Sequence, residues 1–261
     1  DVLGSRGLGD VYKRQAVSLT AGLLSELTKR KIKVIFCDEK RNPSSELVSY
    51  YGSHDTSAKV RQQVGWTAEI KKMMWTEIVS EKIRNQQRFL EDLGKKENVM
   101  LTEYLKEIQP GDTTNREGHA AKVYFNAVFG MDFSRSLDIP INAALNYGYG
   151  IILSTFNREI VSNGYITQLG LFHDNMFNQF NLGSDLMEPF RILVDRKVYE
   201  MKPEKLEKEE KLQLVNILNQ EVTIDGKRNY VVNAIKIYCK SVFDAINDND
   251  VSLIRFYSNE L

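Results

Sequence analysis

The stretch from Val60 to Lys96, VRQQVGWTAEIKKMMWTEIVSEKIRNQQRFLEDLGKK, constrains this chain most. Apolar residues return at intervals of three and four, Ile70, Met74, Ile78 and Ile83 among them. This spacing predicts one long amphipathic helix or two in series, with Gly94 near the stop. Such a helix carries one apolar stripe that must be buried against other elements. Trp66, Trp75, Met73 and Met74 are read as packing on that helix rather than as a cofactor box.

Helical period recurs in VMLTEYLKEIQPGDT, which closes at Pro110-Gly111, in INAALNYGYGIILSTFNREIVSNGY, in EKLEKEEKLQLVNILNQ and in AIKIYCKSVFDAIND. The second of these is rich in small residues, Ala143, Ala144, Gly148 and Gly150, which allow helices to approach closely. EVTIDGKRNYVV places Asp225-Gly226 between short β-like runs, a hairpin signal. Nearer the start, AVSLTAGLLSELTKRK spaces Leu19, Leu23 and Leu27 for a short helix with cations in its last turn. KVIFCDE then reads as a buried strand. A lone strand cannot satisfy its own ladder. No strand-like run precedes this one, so an N-terminal truncation is expected.

RNPSSELVSYYGSHDTS has the Pro, Ser, Gly and Asp density of a connection and marks the domain boundary. The expected fold class is α+β. Residues 16–50 form the remnant of a small β-containing N-terminal domain, and residues 51–261 a large, mostly α-helical domain. Residues 1–15, DVLGSRGLGDVYKRQ, fit neither part. Gly4, Gly7 and Gly9 lack the preceding strand and following helix of a phosphate loop. The segment resembles a conceptual translation of sequencing-adapter DNA and is set aside as non-native.

The 35 Lys and Arg balance the 35 Asp and Glu, which weighs mildly against a nucleic-acid partner. Local asymmetry exists, because Lys59 to Lys96 holds nine basic and five acidic residues, a window that suits a basic face or a solvated charged helix equally. No apolar run approaches the roughly 18–20 residues of a membrane span, and the start lacks the order of a secretory signal, so a cytoplasmic protein without a membrane partner is expected. Cys37 and Cys239, far apart and without CxxC spacing, are expected as two free, mostly buried thiols.

Candidate chemistry centres on NREGHAAKVYFNAVFG, Asn115 to Gly130. Thr114-Asn115-Arg116-Glu117 matches a T-x-x-E capping box, in which the glutamate serves only the helix end. Against that, Glu117, Ala121, Tyr124 and Val128 fall on one stripe whose other members look inward, and an inward carboxylate needs a partner or a metal. His119, about 200° round the helix, is read as incidental. His173 in QLGLFHDN suits either a satisfied core histidine or a metal ligand. Asp185-Leu186-Met187-Glu188 could be an Asp N-cap with its N3 acid. Leu186, Phe190, Leu193 and Val198 would then form the buried stripe, beside a face of Asp185, Glu188, Arg191 and Asp195. A set running from Glu117 through His173 to Glu188 fits no tight metal-spacing rule.

In their order, NREGHAAKVYF, ALNYGYGIIL, GLFHDN and DLMEPFRILVD resemble the CRISPR spacer-acquisition integrase family, that of the first Cas protein. KRKIKVIFCDEKRNP and YYGSHDTSAKVRQQ resemble its type II-A branch, and the likeness runs from Ala16 to Leu261. The resemblance implies a helical catalytic domain in which Glu117, His173 and Glu188 bind a catalytic divalent metal, with Asp185 a supporting or occasional ligand. Two carboxylates and an imidazole suit magnesium or manganese, and the lack of thiolates argues against structural zinc. It further implies a DNA integrase and endonuclease that joins a spacer precursor to a CRISPR repeat by 3′-hydroxyl attack, nicking when water substitutes. Implied partners are double-stranded DNA, a second copy of the chain, and the second Cas protein as a small ferredoxin-like dimer. Lys122, Arg191, Tyr147 and Tyr149 are candidates for phosphate contact or positioning, and equally for surface charge and helix packing. The competing classes are a non-enzymatic helical DNA-binding or scaffold protein in which Glu117 and Glu188 are only caps, and a metal-dependent nuclease without integrase activity.

Overall fold

The structure, a computed structural model, describes residues 18–38, 43–50 and 52–258. The segment 1–15 lies outside the described residues. The first helix, α1 (Ala21–Lys29), is capped by Thr20, whose Oγ1 accepts the Leu23 N–H at 3.2 Å. Strand β1 (Ile35–Cys37) pairs antiparallel with β2 (Pro43–Glu46). Its partner therefore follows it, inside the stretch read as a connection. Phe36 and Cys37 are exposed, and only Cys239 is the buried thiol that was expected of both. The pairing register shifts between Phe36 and Cys37, which breaks the alternation of faces there.

The long helical stretch is two helices in series, α2 (Thr56–Val64) and α3 (Ala68–Asp92). Thr67 restarts the helix, its Oγ1 accepting the Ile70 N–H at 3.3 Å. Gly94, at φ 65°, ends it, and the Lys95 N–H closes back on the Leu90 carbonyl at 2.8 Å. Ile70, Met74, Ile78 and Ile83 are buried as the period predicts, with Trp66 and Trp75, whereas Met73 is exposed.

Helices α4 (Asn98–Glu107), α5 (Arg116–Phe129) and α6 (Pro140–Ser162) follow. Then come α7 (Asn181–Leu186), a single 3-10 turn at Glu188–Phe190, α8 (Arg191–Met201) and α9 (Lys208–Val215). The hairpin β3 (Glu221–Ile224) and β4 (Lys227–Tyr230) turns at Asp225-Gly226, both left-handed at φ 53° and 69°. Helix α10 (Val231–Asp248) precedes β5 (Tyr257–Ser258), which adds a third strand to β3.

Helix α3 lies at the centre, against α4, α5, the α7–α8 junction and α10, while α6 covers α8, α9 and α10. At one point small size is required: a Cβ on Gly148 of α6 would lie 2.4 Å from Val194 Cγ1 of α8. Leu186, Phe190, Leu193 and Val198 are buried together, as their spacing predicts. Among the described residues no helix is long and apolar enough to cross a membrane. The architecture is α+β, mostly helical, with two small antiparallel sheets among the described residues.

Candidate metal centre

The chain enters α5 through three left-handed residues, Gly111, Asp112 and Asn115, at φ 73°, 51° and 53°. These are residue types that tolerate such a backbone. Buried Asp112 does the capping: Oδ1 accepts the Arg116 N–H at 2.8 Å and Oδ2 the Glu117 N–H at 2.9 Å. The helix begins after Asn115, so Thr114 is not its N-cap and Glu117 closes no capping box. Its carboxylate is committed elsewhere, accepting a hydrogen bond from Lys82 Nζ of α3. The inward stripe of α5 is Ala120, Tyr124 and Val128, one position earlier than Ala121. His119 is exposed, beside Arg116 and the Tyr104 ring, and takes no part.

Glu188 is buried in the 3-10 turn between α7 and α8. Its Oε1 lies 3.0 Å from Arg191 Nε and its Oε2 2.5 Å from Lys82 Nζ. Burial pushes this carboxyl's pKa up, and the charges of Arg191 and Lys82 outweigh burial, holding it below the usual range. Burial likewise works against the Lys82 ammonium, and Glu188 and Glu117 more than reverse that effect. One ammonium thus ties together two glutamates from separate helical elements.

Asp185 is no N-cap. It sits inside α7 with no exposed surface and pins the loop before it. Oδ2 accepts the N–H groups of Leu171 at 2.6 Å and Phe172 at 3.1 Å. Oδ1 accepts the His173 N–H at 3.1 Å and lies 2.6 Å from His173 Nδ1. Gly170 makes room for this clamp, since a Cβ there would stand 2.4 Å from the His173 carbonyl and 2.7 Å from Asp185 Oδ2. Trp75 stacks on Phe172 with ring centroids 4.5 Å apart and meets His173 edge-on at 5.7 Å. The Asp185 hydrogen bond outweighs burial and raises the His173 pKa, and Glu188 is close enough to add to that rise. In the neutral ring, a proton on Nδ1 shared with Asp185 leaves the lone pair on Nε2, the form a metal ligand needs.

Three of the residues singled out in sequence are therefore gathered around α3: Glu117 and Glu188 on one ammonium, and His173 within electrostatic reach of Glu188. Arg191 pairs with Glu188 and lies over the Tyr149 ring, 4.8 Å from its centroid. Tyr149 is buried, its hydroxyl donating to Asp195 Oδ1, while Tyr124 donates to Asp195 Oδ2 at 3.1 Å. Burial pushes the Asp195 carboxyl up to about 6 against these two hydrogen bonds. Tyr147 is buried on the other side of α6, with the Lys211 ammonium 5.3 Å from its ring centroid, and Lys122 is exposed.

Lys82 escaped the sequence reading, and so did the pairing of Tyr124 and Tyr149 with Asp195, although each of those three residues was named. Lys82 had a signal, because it continues the i+4 series Ile70, Met74, Ile78 on the apolar stripe of α3.

Among the described residues, no group of three or more His, Cys, Asp or Glu side chains stands close enough to hold a metal ion. The donors nonetheless fit one in kind. Two carboxylates converge on a single cation, and an imidazole oriented by Asp185 lies within electrostatic reach of Glu188. Oxygen donors with one imidazole nitrogen suit magnesium or manganese.

The class defined here is an α+β protein whose helical domain gathers acidic and imidazole donors at one polar centre. Residues 5–214 match the family described as CRISPR associated protein Cas1. The chain is 30% identical over 254 residues to the CRISPR-associated endonuclease Cas1 of Neisseria meningitidis serogroup C (strain 8013), covering 94% of this chain and 83% of that one. Its fold is similar to that of a casposase bound to integration product, with a TM-score of 0.76 at 19% identity, over 90% of this chain and 77% of the other. It is also similar to a chain of a Cas6-RT-Cas1–Cas2 complex, with a TM-score of 0.70 at 21% identity, over 93% of this chain and 31% of that one. The chain belongs to the Cas1 family of CRISPR-associated proteins.

Proposed function

We propose that this protein is a divalent-metal-dependent DNA endonuclease and integrase of CRISPR adaptation, with magnesium or manganese as its cofactor. The observation that carries the reading is the convergence of Glu117 and Glu188, from separate helical elements, on one cationic centre, with a histidine oriented by Asp185 within electrostatic reach. Glu117, Glu188 and the Nε2 of His173 would hold the ion. When bound, the ion offsets the charge that builds on a phosphate under attack.

The rest is work for this chain's own residues. Asp185 fixes the histidine tautomer and the loop that carries it. Asp112 caps α5, which leaves the Glu117 carboxylate available to the centre. Arg191, braced by Glu188 and the Tyr149 face, offers a cation at the edge of the site for a phosphate oxygen. In the reaction, a spacer 3′-oxygen attacks phosphorus at the repeat boundary. A new phosphodiester forms, the old P–O bond breaks, and the proton lost by the nucleophile ends on the departing 3′-oxygen. Water in place of the 3′-hydroxyl gives nicking.

The relatives support the reading by name: one is called an endonuclease, another is held with an integration product, and a third is part of a complex containing Cas2. A second copy of this chain and a Cas2 dimer are accordingly proposed as partners on double-stranded DNA. The test is a joining assay with spacer duplex, repeat DNA and Cas2, in EDTA and with manganese added. Joined product is expected only with manganese and only with Glu117 intact. Full joining by Glu117→Ala would sink the mechanism, and nicking without joined product would favour a nuclease that lacks integrase activity.

A further inference from the structure

Lys82 belongs to α3, an element that supplies neither glutamate, yet its ammonium occupies the point where the two carboxylates meet. It is hydrogen-bonded to Glu117 Oε1 and lies 2.5 Å from Glu188 Oε2, and its side chain is only 9% exposed. A divalent ion shared by the same two carboxylates would take the same place between them. Ammonium and ion exclude one another, by volume and by charge.

We propose that Lys82 is a displaceable counter-ion: its ammonium holds Glu117 and Glu188 together in the metal-free protein and must swing out before a divalent ion can bind. This inference rests on the reading of the two glutamates as metal ligands. One feature of the contact favours displacement over a fixed structural pair. The way out is open, since the Glu117 side chain is 29% exposed and that of His173 41%. A lysine is suited to the task, because a compact charge on a flexible four-carbon stem can leave without disturbing the helix that carries it. Between vacating and loading, two facing carboxylates would repel, so exchange of one cation for the other is the path that keeps the site intact.

The test is manganese binding to the full chain, read by the electron-spin-resonance signal of free manganese, alongside thermal unfolding with and without the ion. Wild type, Lys82→Met, Lys82→Gln and Glu117→Ala are compared. Both Lys82 variants are expected to bind manganese at least tenfold more tightly than wild type, to melt lower in EDTA, and to recover their melting point when manganese is added. Glu117→Ala is expected to lose the binding, which assigns the measured site. Lys82 variants that bind no more tightly than wild type overturn the counter-ion while leaving the metal centre standing. No binding by any of the four overturns both. A Lys82→Met chain that folds only with manganese counts for the proposal, and failure of both Lys82 variants to fold even with manganese counts against it, since the ion then cannot replace the ammonium.

Discussion

Asp185→Asn isolates the clamp on His173 with almost no change of shape. The carboxylate receives four donors: the N–H groups of Leu171 and Phe172 on Oδ2, and the N–H and ring Nδ1 of His173 on Oδ1. Asparagine keeps one acceptor oxygen and presents two N–H donors where the other stood. If the oxygen faces Leu171 and Phe172, the amide can donate to Nδ1, which forces the imidazole proton onto Nε2 and strands only the His173 N–H. The reverse orientation strands two buried backbone donors, so the first is preferred. Losing one hydrogen bond to a charged acceptor, and the charge on the rest, costs roughly 2–4 kcal/mol. Urea denaturation should show that loss. Long-range proton–nitrogen correlation spectra should show Nε2 carrying the proton, with manganese binding lost in consequence. The pH dependence has a definite sign. Because Asp185 raises the His173 pKa, the stability it contributes is fully present below the unfolded value of 6.5 and is lost as pH rises through the folded value. In Asp185→Asn that stretch of the stability profile should flatten. A variant that keeps its Nε2 lone pair and wild-type stability would refute the assigned role of Asp185.

Asp195→Asn removes a carboxyl held at about 6 against a usual 3.8, a gap worth about 3 kcal/mol. The folded state binds this proton more tightly than the unfolded one, so wild type loses stability as pH rises from about 4 through about 6. Relative to wild type, the variant should gain about that amount between pH 4 and pH 7, and parallel curves would count against the argument. Gly148→Ala puts a methyl group 2.4 Å from Val194 Cγ1 and should cost about 1–3 kcal/mol in denaturant midpoints, with Val194→Ala recovering part of it. Trp75→Ala removes the buried ring that stacks on Phe172. It should cost about 3–5 kcal/mol and weaken manganese binding by loosening His173, which titration of the refolded variant would reveal.

Much of the fold was legible because it is local. The α3 stripe, the Asp225-Gly226 turn and the buried run Leu186, Phe190, Leu193 and Val198 each follow from periods or residue types within one segment. The site was legible only as separate residues. Glu117 looked like a capping glutamate until Asp112, five positions earlier and in a left-handed conformation, proved to do the capping. Asp185 looked like a helix cap because its true partners, the backbone of Leu171 to His173, are brought to it by the loop. Lys82 was counted only as one of the nine basic residues between Lys59 and Lys96, although its place on the apolar stripe was on view. The β1–β2 ribbon was missed because β2 is a Pro-Ser-Ser-Glu run with the composition of a turn, and pairing with β1 overrides that preference.

Glu188 and Asp185 stand three residues apart at the α7–α8 junction, so a single short piece of backbone carries one carboxylate and the clamp on the histidine. Glu117 comes from α5, on another flank of α3. The centre is thus a seam between two blocks, with Lys82 as the stitch. A small slide of one block along α3 would part Glu117 from the other two side chains while leaving both blocks folded. Anything that gripped both flanks at once would therefore bear on the alignment of Glu117 with Glu188.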